Sequence, residues 1–240
     1  MMETVVPSIG LDGCKAGWFL VLINPDGTWR SEILQSLNGL GSFLTSDTHC
    51  LIDIPIGLPD SGLAERTCDL AARKVLGRRA PTVFRVPARP TLSAQSYREA
   101  CDINQKWTHR KLSKQSYHIL GKIAEADWFR RSYPHVRLRE FHPEIGFWSL
   151  NGGQVVPEKK KSAEGQRKRL AILQEACEMA GTVYQESLSR FKRGVVQPDD
   201  ILDALCGAIL GRSPARLKSM PNRRETDGLG LPMEIVYTGR

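Results

Sequence analysis

Apolar and polar residues alternate in the N-terminal region in a pattern that predicts several short strands. Apolar stretches at residues 8–14, 17–23 and 28–34 predict three strands, and Asn-Pro-Asp-Gly at 24–27 predicts a hairpin turn before the third. A short helix is expected at 37–44. The apolar run at 50–54, which Pro55 closes, is typical of a buried strand that lies parallel to a neighbour.

Helical spacing dominates the rest of the chain. Helices are expected at residues 63–76, 93–107 and 114–131, with a proline-rich basic loop at 78–91. A strand at 136–141 follows, then helices at 162–179, 183–191 and 198–210 and a small strand at 233–237. This order predicts an α/β fold with a mixed five-stranded sheet flanked by helices, in the ribonuclease H-like arrangement. We expect one domain over residues 1–240, with a helical basic insert between strands 4 and 5, at about 61–134.

Composition narrows the class of protein. The chain has 240 residues, of which 41% are hydrophobic, so wholesale disorder is excluded. Its apolar runs are too short to span a bilayer, and its N-terminus lacks the features of a signal peptide. None of the six cysteines forms a CxxC pair, which favours a reducing compartment. A cytoplasmic protein with no membrane partner is expected, in an oligomeric state that is left open, a homodimer included.

Charge is distributed unevenly along the chain, whose net charge is +8. Residues 1–60 carry 2 basic and 7 acidic side chains, whereas residues 61–140 carry 17 basic and 7 acidic ones. A concentrated basic segment favours a polyanionic partner, since neutralising phosphates releases counterions. A solvated helical surface rich in Arg and Lys explains the same numbers, so the charge leaves both interpretations open.

Acidic residues occur at places where the predicted elements end. Two lie near the ends of predicted strands, one follows a strand, and two share one face of a helix: Asp12, Asp53, Glu144, Asp200 and Asp203. Parallel strand ends and one helix face can bring such acids together, and carboxylates that are close together repel each other unless divalent cations bind. Oxygen donors suit Mg²⁺ or Mn²⁺, and two such ions about 4 Å apart can activate a water and stabilise a leaving oxygen. We predict catalytic roles for all five acids, with Asp12, Asp53, Asp200 and Asp203 as metal ligands.

Each acid also has a structural interpretation. Asp199 is most simply the N-cap of the helix at 198–210, and Asp200 is favourable in its first turn. Asp12 fits an Asp-Gly turn, and Asp53 fits a salt bridge with an arginine. Taken singly, these interpretations are at least as good as the functional ones. Taken together, the acids favour a site.

Several basic residues are candidates for phosphate contacts. They are concentrated in the predicted insert: Lys15, Arg66, Arg73, Arg78, Arg79, Arg85 and Arg89. Lys15 could instead neutralise the acids, and Arg66 and Arg73 could form a salt-bridge network with Asp69. The lysines at 159–161 are typical of a solvated loop.

Six runs of residues, in order through most of the chain, resemble one family. They are GLDGCKAGW (10–18), IDIPIGLP (52–59), RTCD (66–69) with Ala72-Arg73, VFRVP (83–87), HPE (142–144) and DDILDA (199–204). The set resembles the domain of unknown function 429 family, whose members are described as predicted ribonuclease H-like nucleases. The pair Asp200 and Asp203 is also similar to the last acidic pair of Holliday-junction resolvases. The resemblance implies the fold and a metal site at Asp12, Asp53, Asp200 and Asp203.

The leading hypothesis is a metal-dependent nuclease that hydrolyses phosphodiesters of RNA or DNA with Mg²⁺ or Mn²⁺. One alternative is an actin-like or sugar-kinase-type nucleotide-binding phosphotransferase, in which an Asp-Gly loop follows the first strand. Another is a non-catalytic nucleic-acid-binding module. The intact set of acids favours the enzyme, because idle clustered carboxylates destabilise a fold.

Overall fold

The computed structural model describes residues 5–60 and 62–239. The described chain divides into two compact units. The first contains the described residues up to Asp53, His135–Lys218 and those from Val236 onward, and the second contains Ile54–Pro134 and Ser219–Ile235. The predicted limits of the domain and the predicted first residue of the insert, Ser61, lie outside the described residues.

The α/β fold class is confirmed by a five-stranded mixed sheet in the first unit. Its strands are β1 (Ser8–Cys14), β2 (Gly17–Ile23), β3 (Trp29–Leu34), β4 (His49–Ile52) and β5 (Arg137–Glu140), in the spatial order β3-β2-β1-β4-β5. β2 is antiparallel to β1 and β3, whereas β4 is parallel to β1 and β5. This topology is compatible with the expected ribonuclease H-like arrangement.

All the α-helices of the described residues follow β4 in the sequence, four of them before β5 and four after it. In chain order they are α1 (Thr67–Leu76), α2 (Tyr97–Thr108), α3 (Lys114–His118), α4 (Leu120–Ser132), α5 (Pro143–Leu150), α6 (Ala163–Ala176), α7 (Ala180–Arg190) and α8 (Pro198–Gly211). The first four lie between β4 and β5 in the sequence, where the helical insert is expected. Short 3-10 segments occupy Leu37–Phe43, Gly77–Thr82, Arg89–Ser93 and Pro214–Arg216, and two more strands, β6 (Leu217–Met220) and β7 (Ile235–Thr238), form a second sheet.

Several predicted element ends are shifted by a few residues, and the helix expected at 37–44 is a 3-10 segment. Three elements differ more strongly from the expectations. The helix predicted at 114–131 is two helices, because Ile119 leaves the helical conformation between α3 and α4. The residue pattern did not predict α5, whose apolar run after Pro143-Glu144 has no helical period, and it did not predict β6. Proline at the first position of α5 suits a helix start, since proline has no amide hydrogen to leave unpaired there.

The helix α8 forms the centre of the first unit. It packs on β1, β2 and β4, and all its residues except Asp200 are buried. Gly10 of β1 permits the contact, because a Cβ there would overlap the carbonyl oxygen of Ala204. The close packing of α8 on β1 fixes the helix face that carries Asp203 against the sheet.

Candidate functional site

Two of the predicted acids are placed by adjacent parallel strands. Asp12 lies near the end of β1 and is 7% exposed, and Asp53 follows directly after β4. The amide of Asp53 donates a hydrogen bond of 2.9 Å to the carbonyl of Leu11, which continues the β1–β4 ladder by one residue. The parallel register therefore sets the two carboxylates side by side at one edge of the sheet.

The remaining aspartates belong to the first two turns of α8. Gln197 is the N-cap of α8, and Pro198 takes the first helical position. The expectation that Asp199 is the N-cap is therefore wrong. Asp200 takes part in the capping box of α8, since its Oδ2 accepts a hydrogen bond of 2.8 Å from the amide of Gln197. Asp203 lies one turn further on and is 1% exposed.

Lys160 brings a positive charge into this cluster. Its Nζ donates a hydrogen bond of 2.8 Å to Oδ2 of Asp203 and lies 3.6 Å from Oδ2 of Asp199. The loop that carries Lys160 was expected to be solvated, and Lys159 and Lys161 are indeed exposed. In a run of three lysines, the sequence does not indicate which side chain points toward the protein interior. The contact of Lys160 with the acids could therefore not be predicted from the sequence.

Burial and mutual repulsion disturb the ionisation of the acids. Burial, followed by the charge of Asp203, raises the pKa of Asp53 to about 8. Burial and the charges of Asp53 and Asp203 raise the pKa of Asp12 well above its usual value. Burial raises the pKa of Asp200 to about 6, although its hydrogen bond from the Gln197 amide opposes the rise. The cluster thus retains protons at pH values at which isolated carboxylates have released them.

Glu144 has a different environment from the aspartates. Both of its carboxylate oxygens accept hydrogen bonds from Nη2 of Arg169, at 2.7 and 2.9 Å, and both residues are buried. Nη1 of Arg169 also donates to the carbonyls of Glu158 and Gly165, at 3.1 and 3.2 Å. Arg169 therefore ties Glu144 to the segment that carries Lys160.

Glu140 is an acid that the sequence analysis did not single out. It is the last residue of β5, pairs in register with Ile52 and is 5% exposed. Its charge contributes to the raised pKa of Asp53. The signal for Glu140 was the same as for Asp53, namely an acid at the carboxyl end of a parallel strand.

The donor set fits a hard divalent cation in its chemistry. The buried donors are carboxylate oxygens, which Mg²⁺ and Mn²⁺ prefer, and a cation would relieve their repulsion. Across residues 5–60 and 62–239, however, no group of three His, Cys, Asp or Glu side chains is arranged to hold a metal ion. The acids lie near one another around Lys160 without forming a closed ligand set.

The predicted phosphate contacts have varied environments. In the first unit, Lys15 is exposed in the turn between β1 and β2. In the second unit, the buried Arg66 forms a bidentate pair with Asp69, at 2.7 and 3.0 Å, and donates to two backbone carbonyls. This is the salt bridge that was the alternative for Arg66, and it leaves the guanidinium no surface for a ligand.

The other predicted arginines of the second unit divide into bound and exposed ones. Arg73 binds Glu65 and the carbonyl of Val83, and Arg89 bridges the buried carboxylates of Asp127 and Asp227. Arg78 and Arg85 are exposed, whereas Arg79 is half-buried. Their contacts with nucleic acid stay predictions.

The chain was compared with known protein families, curated proteins and solved structures. Residues 10–226 match a family described as proteins of unknown function, DUF429. The chain belongs to the DUF429 family. The match confirms the resemblance that the six sequence runs indicated and includes all five predicted acids of this DUF429 protein. No curated protein and no solved structure matches the chain.

Among the helices in the described part of the chain, none is long and apolar enough to cross a membrane.

Proposed function

We propose that the acidic cluster of the first unit is a metal-dependent phosphodiesterase centre that acts on nucleic acid. The observation that carries the proposal is the convergence of Asp12, Asp53 and Asp203, which come from two parallel strands and a helix packed on them. Holding three carboxylates together out of water costs free energy, and a site that binds cations explains why the fold bears this cost. The cytoplasmic location stays a prediction.

Asp12, Asp53 and Asp203 would hold Mg²⁺ or Mn²⁺, with the less buried Asp200 beside them. A bound ion of this kind lowers the pKa of a water and stabilises negative charge on the phosphoryl oxygens. Before a cation binds, Asp53 holds a proton at neutral pH, since its pKa is about 8. A cation binds the deprotonated carboxylate, so metal binding would release this proton. The chain thus supplies the carboxylate ligands, and their loading with metal is coupled to proton release.

Glu144 acts as a positioning residue in this proposal. Arg169 occupies both of its oxygens, so the carboxylate is satisfied before any ligand arrives. The pair fixes α5 to α6 and holds the backbone of the loop before α6 through Glu158. The predicted catalytic role of Glu144 therefore becomes an indirect one.

Lys160 acts as the counterion of the cluster when no metal is bound. Its ammonium group contacts Asp203 and Asp199, and the charge of Asp203 raises its pKa, so it stays protonated. Binding of a divalent cation to Asp203 would displace the ammonium group, because two cations cannot share one carboxylate oxygen without repulsion. The displaced Lys160 is then available to a phosphate.

The test is cleavage of labelled RNA, DNA and branched DNA by the purified full chain with Mg²⁺ or Mn²⁺. Cleavage that needs metal and is lost in Asp12→Asn and Asp53→Asn supports the proposal. Asp47→Asn is the matched control, since its carboxylate is exposed and lies before β4 rather than after it. Absence of cleavage of all three substrates, or cleavage that both site variants retain, contradicts it.

A further inference from the structure

A cavity of about 340 Å³ lies within the second unit, between the segment around Phe84 and the loop that follows α2. Its volume is at the lower end for small-molecule sites, which run from about 300 to 1,000 Å³. Three cationic side chains line it, those of Arg85, Arg110 and Lys111, and no acidic side chain of the described residues does. The lining therefore favours a small anionic ligand.

Hydrogen bonds hold both walls of the cavity in place. Asn104 joins them, because its Oδ1 accepts from the amide of Ala88 at 2.9 Å and its Nδ2 donates to the carbonyl of Arg110 at 2.8 Å. Ser116 Oγ donates to the carbonyl of Arg85 at 3.1 Å. These bonds satisfy backbone groups of the segments that carry the cations, so the backbone of both walls is ordered before a ligand binds.

Positive charge exceeds negative charge around the cavity. The carboxylate of Glu65 is shared between Arg73 and Arg85, with a distance of 3.4 Å from its Oε1 to Nε of Arg85. Arg110 and Lys111 are exposed to solvent. Guanidinium and ammonium groups of this kind bind phosphate through charge-assisted hydrogen bonds.

The cavity also has an apolar side, to which Phe84 and Pro81 contribute. An aromatic ring beside cations is the combination that binds a base together with its phosphate. We propose that this cavity binds one nucleotide unit, with its phosphate on Arg85, Arg110 and Lys111 and its base against Phe84. The unit is either a free nucleoside monophosphate or one residue of a nucleic acid strand, and the proposal does not rest on the metal centre.

The experiment measures binding to the full chain in EDTA, where metal-dependent hydrolysis is absent. Calorimetry compares nucleoside 5′-monophosphates, the matching nucleosides and inorganic phosphate, and fluorescence anisotropy uses labelled RNA and DNA decanucleotides. The Arg110→Gln/Lys111→Gln variant is compared with Lys74→Gln/Lys106→Gln, which removes the same charge from exposed residues that do not line the cavity. Circular dichroism checks that both variants fold.

The cavity variant is expected to bind monophosphate or decanucleotide about tenfold more weakly or worse, with the control variant close to wild type. Phe84→Leu is expected to weaken nucleotide binding more than phosphate binding. Binding of monophosphates identifies a free nucleotide, and binding of decanucleotides alone identifies a strand.

Three results overturn the proposal: no phosphate-bearing probe binds at millimolar concentration, both double variants lose affinity equally, or nucleosides bind as tightly as nucleotides. Absence of metal-dependent cleavage with intact nucleotide binding refutes only the metal centre.

Discussion

The ammonium nitrogen of Lys160 lies 2.8 Å from Oδ2 of Asp203, inside a cluster of aspartates that the sequence predicts to bind metal. The Asp203 side chain is 1% exposed and that of Lys160 is 38% exposed. The ion pair is therefore anchored on a buried carboxylate but can open toward solvent. It offers the cluster an internal cation that a bound metal ion would have to replace under the proposed function.

Lys160→Met is expected to increase the affinity for Mn²⁺ about tenfold, because the variant has no ammonium group for the ion to displace. In EDTA at pH 7, the same variant should lose about 1–3 kcal/mol of unfolding free energy, since Asp203 loses its charged hydrogen bond. Calorimetric titration with Mn²⁺ and urea denaturation measure the two effects.

Lys161→Met is the control for this prediction, because it removes the same charge from an exposed neighbour. It should change neither quantity measurably. Equal Mn²⁺ affinity in the Lys160 and Lys161 variants would show that Lys160 does not compete with metal.

The raised pKa of Asp53 makes the stability of the metal-free protein depend on pH. Its pKa is about 8 in the folded protein against 3.8 for an unperturbed aspartate, so the folded state retains a proton that the unfolded state releases. The stabilisation that this proton provides is fully present below about pH 3.8 and is lost as the pH rises toward 8. Asp53→Asn removes the titration. The variant should therefore be more stable than wild type at pH 8 in EDTA and close to it near pH 4.

Thermal unfolding in EDTA between pH 4 and pH 9 measures this difference. Asp47→Asn, which changes an exposed carboxylate, should follow the wild type across the range. A constant difference between Asp53→Asn and wild type at every pH would contradict the raised pKa. With added Mn²⁺ at pH 8, the wild type should become more stable than Asp53→Asn, because only the wild type has the Asp53 carboxylate that the ion stabilises.

The sheet and the ends of its strands could be predicted because they depend on local patterns. The short apolar runs of β1, β2 and β4 have little alternative to burial as strands, and the hairpin turn joins β2 and β3. Once β1 and β4 are parallel neighbours, Asp12 and Asp53 follow at the same edge. The parallel register of β1 and β4 therefore brings the carboxylates of Asp12 and Asp53 close together.

The partners of the acids could not be predicted, because they depend on tertiary contacts between distant segments. Arg169 is separated by 25 residues from Glu144, and Lys160 by 43 from Asp203. Surface lysines and arginines in a helix or loop have the same local pattern whether they face water or a carboxylate. The same limit applies to Arg66, whose helical spacing with Asp69 and Arg73 fits an ion pair and a phosphate contact equally well.

Gly10 is required for the approach of α8 to β1. Gly10→Ala should destabilise the protein by about 3 kcal/mol, because the new methyl group meets the backbone of Ala204, which cannot yield without moving α8. Gly41→Ala is the control, since a Cβ at Gly41 meets nothing within 4 Å, and it should change stability by less than about 0.5 kcal/mol. Urea denaturation measures both. Equal stability of the two variants would mean that α8 does not pack this closely on β1.

Arg169 and Glu144 form a buried pair whose members depend on each other. Arg169→Met should cost about 3–5 kcal/mol of unfolding free energy, because it leaves the carboxylate of Glu144 buried without its partner. The double variant Arg169→Met/Glu144→Met should recover most of this loss, since no charge then remains buried at the pair. A double-mutant cycle in urea measures the coupling, and simple addition of the two single effects would contradict the pairing. Recovered stability without recovered Mn²⁺ affinity would show that the pair also positions the aspartate cluster.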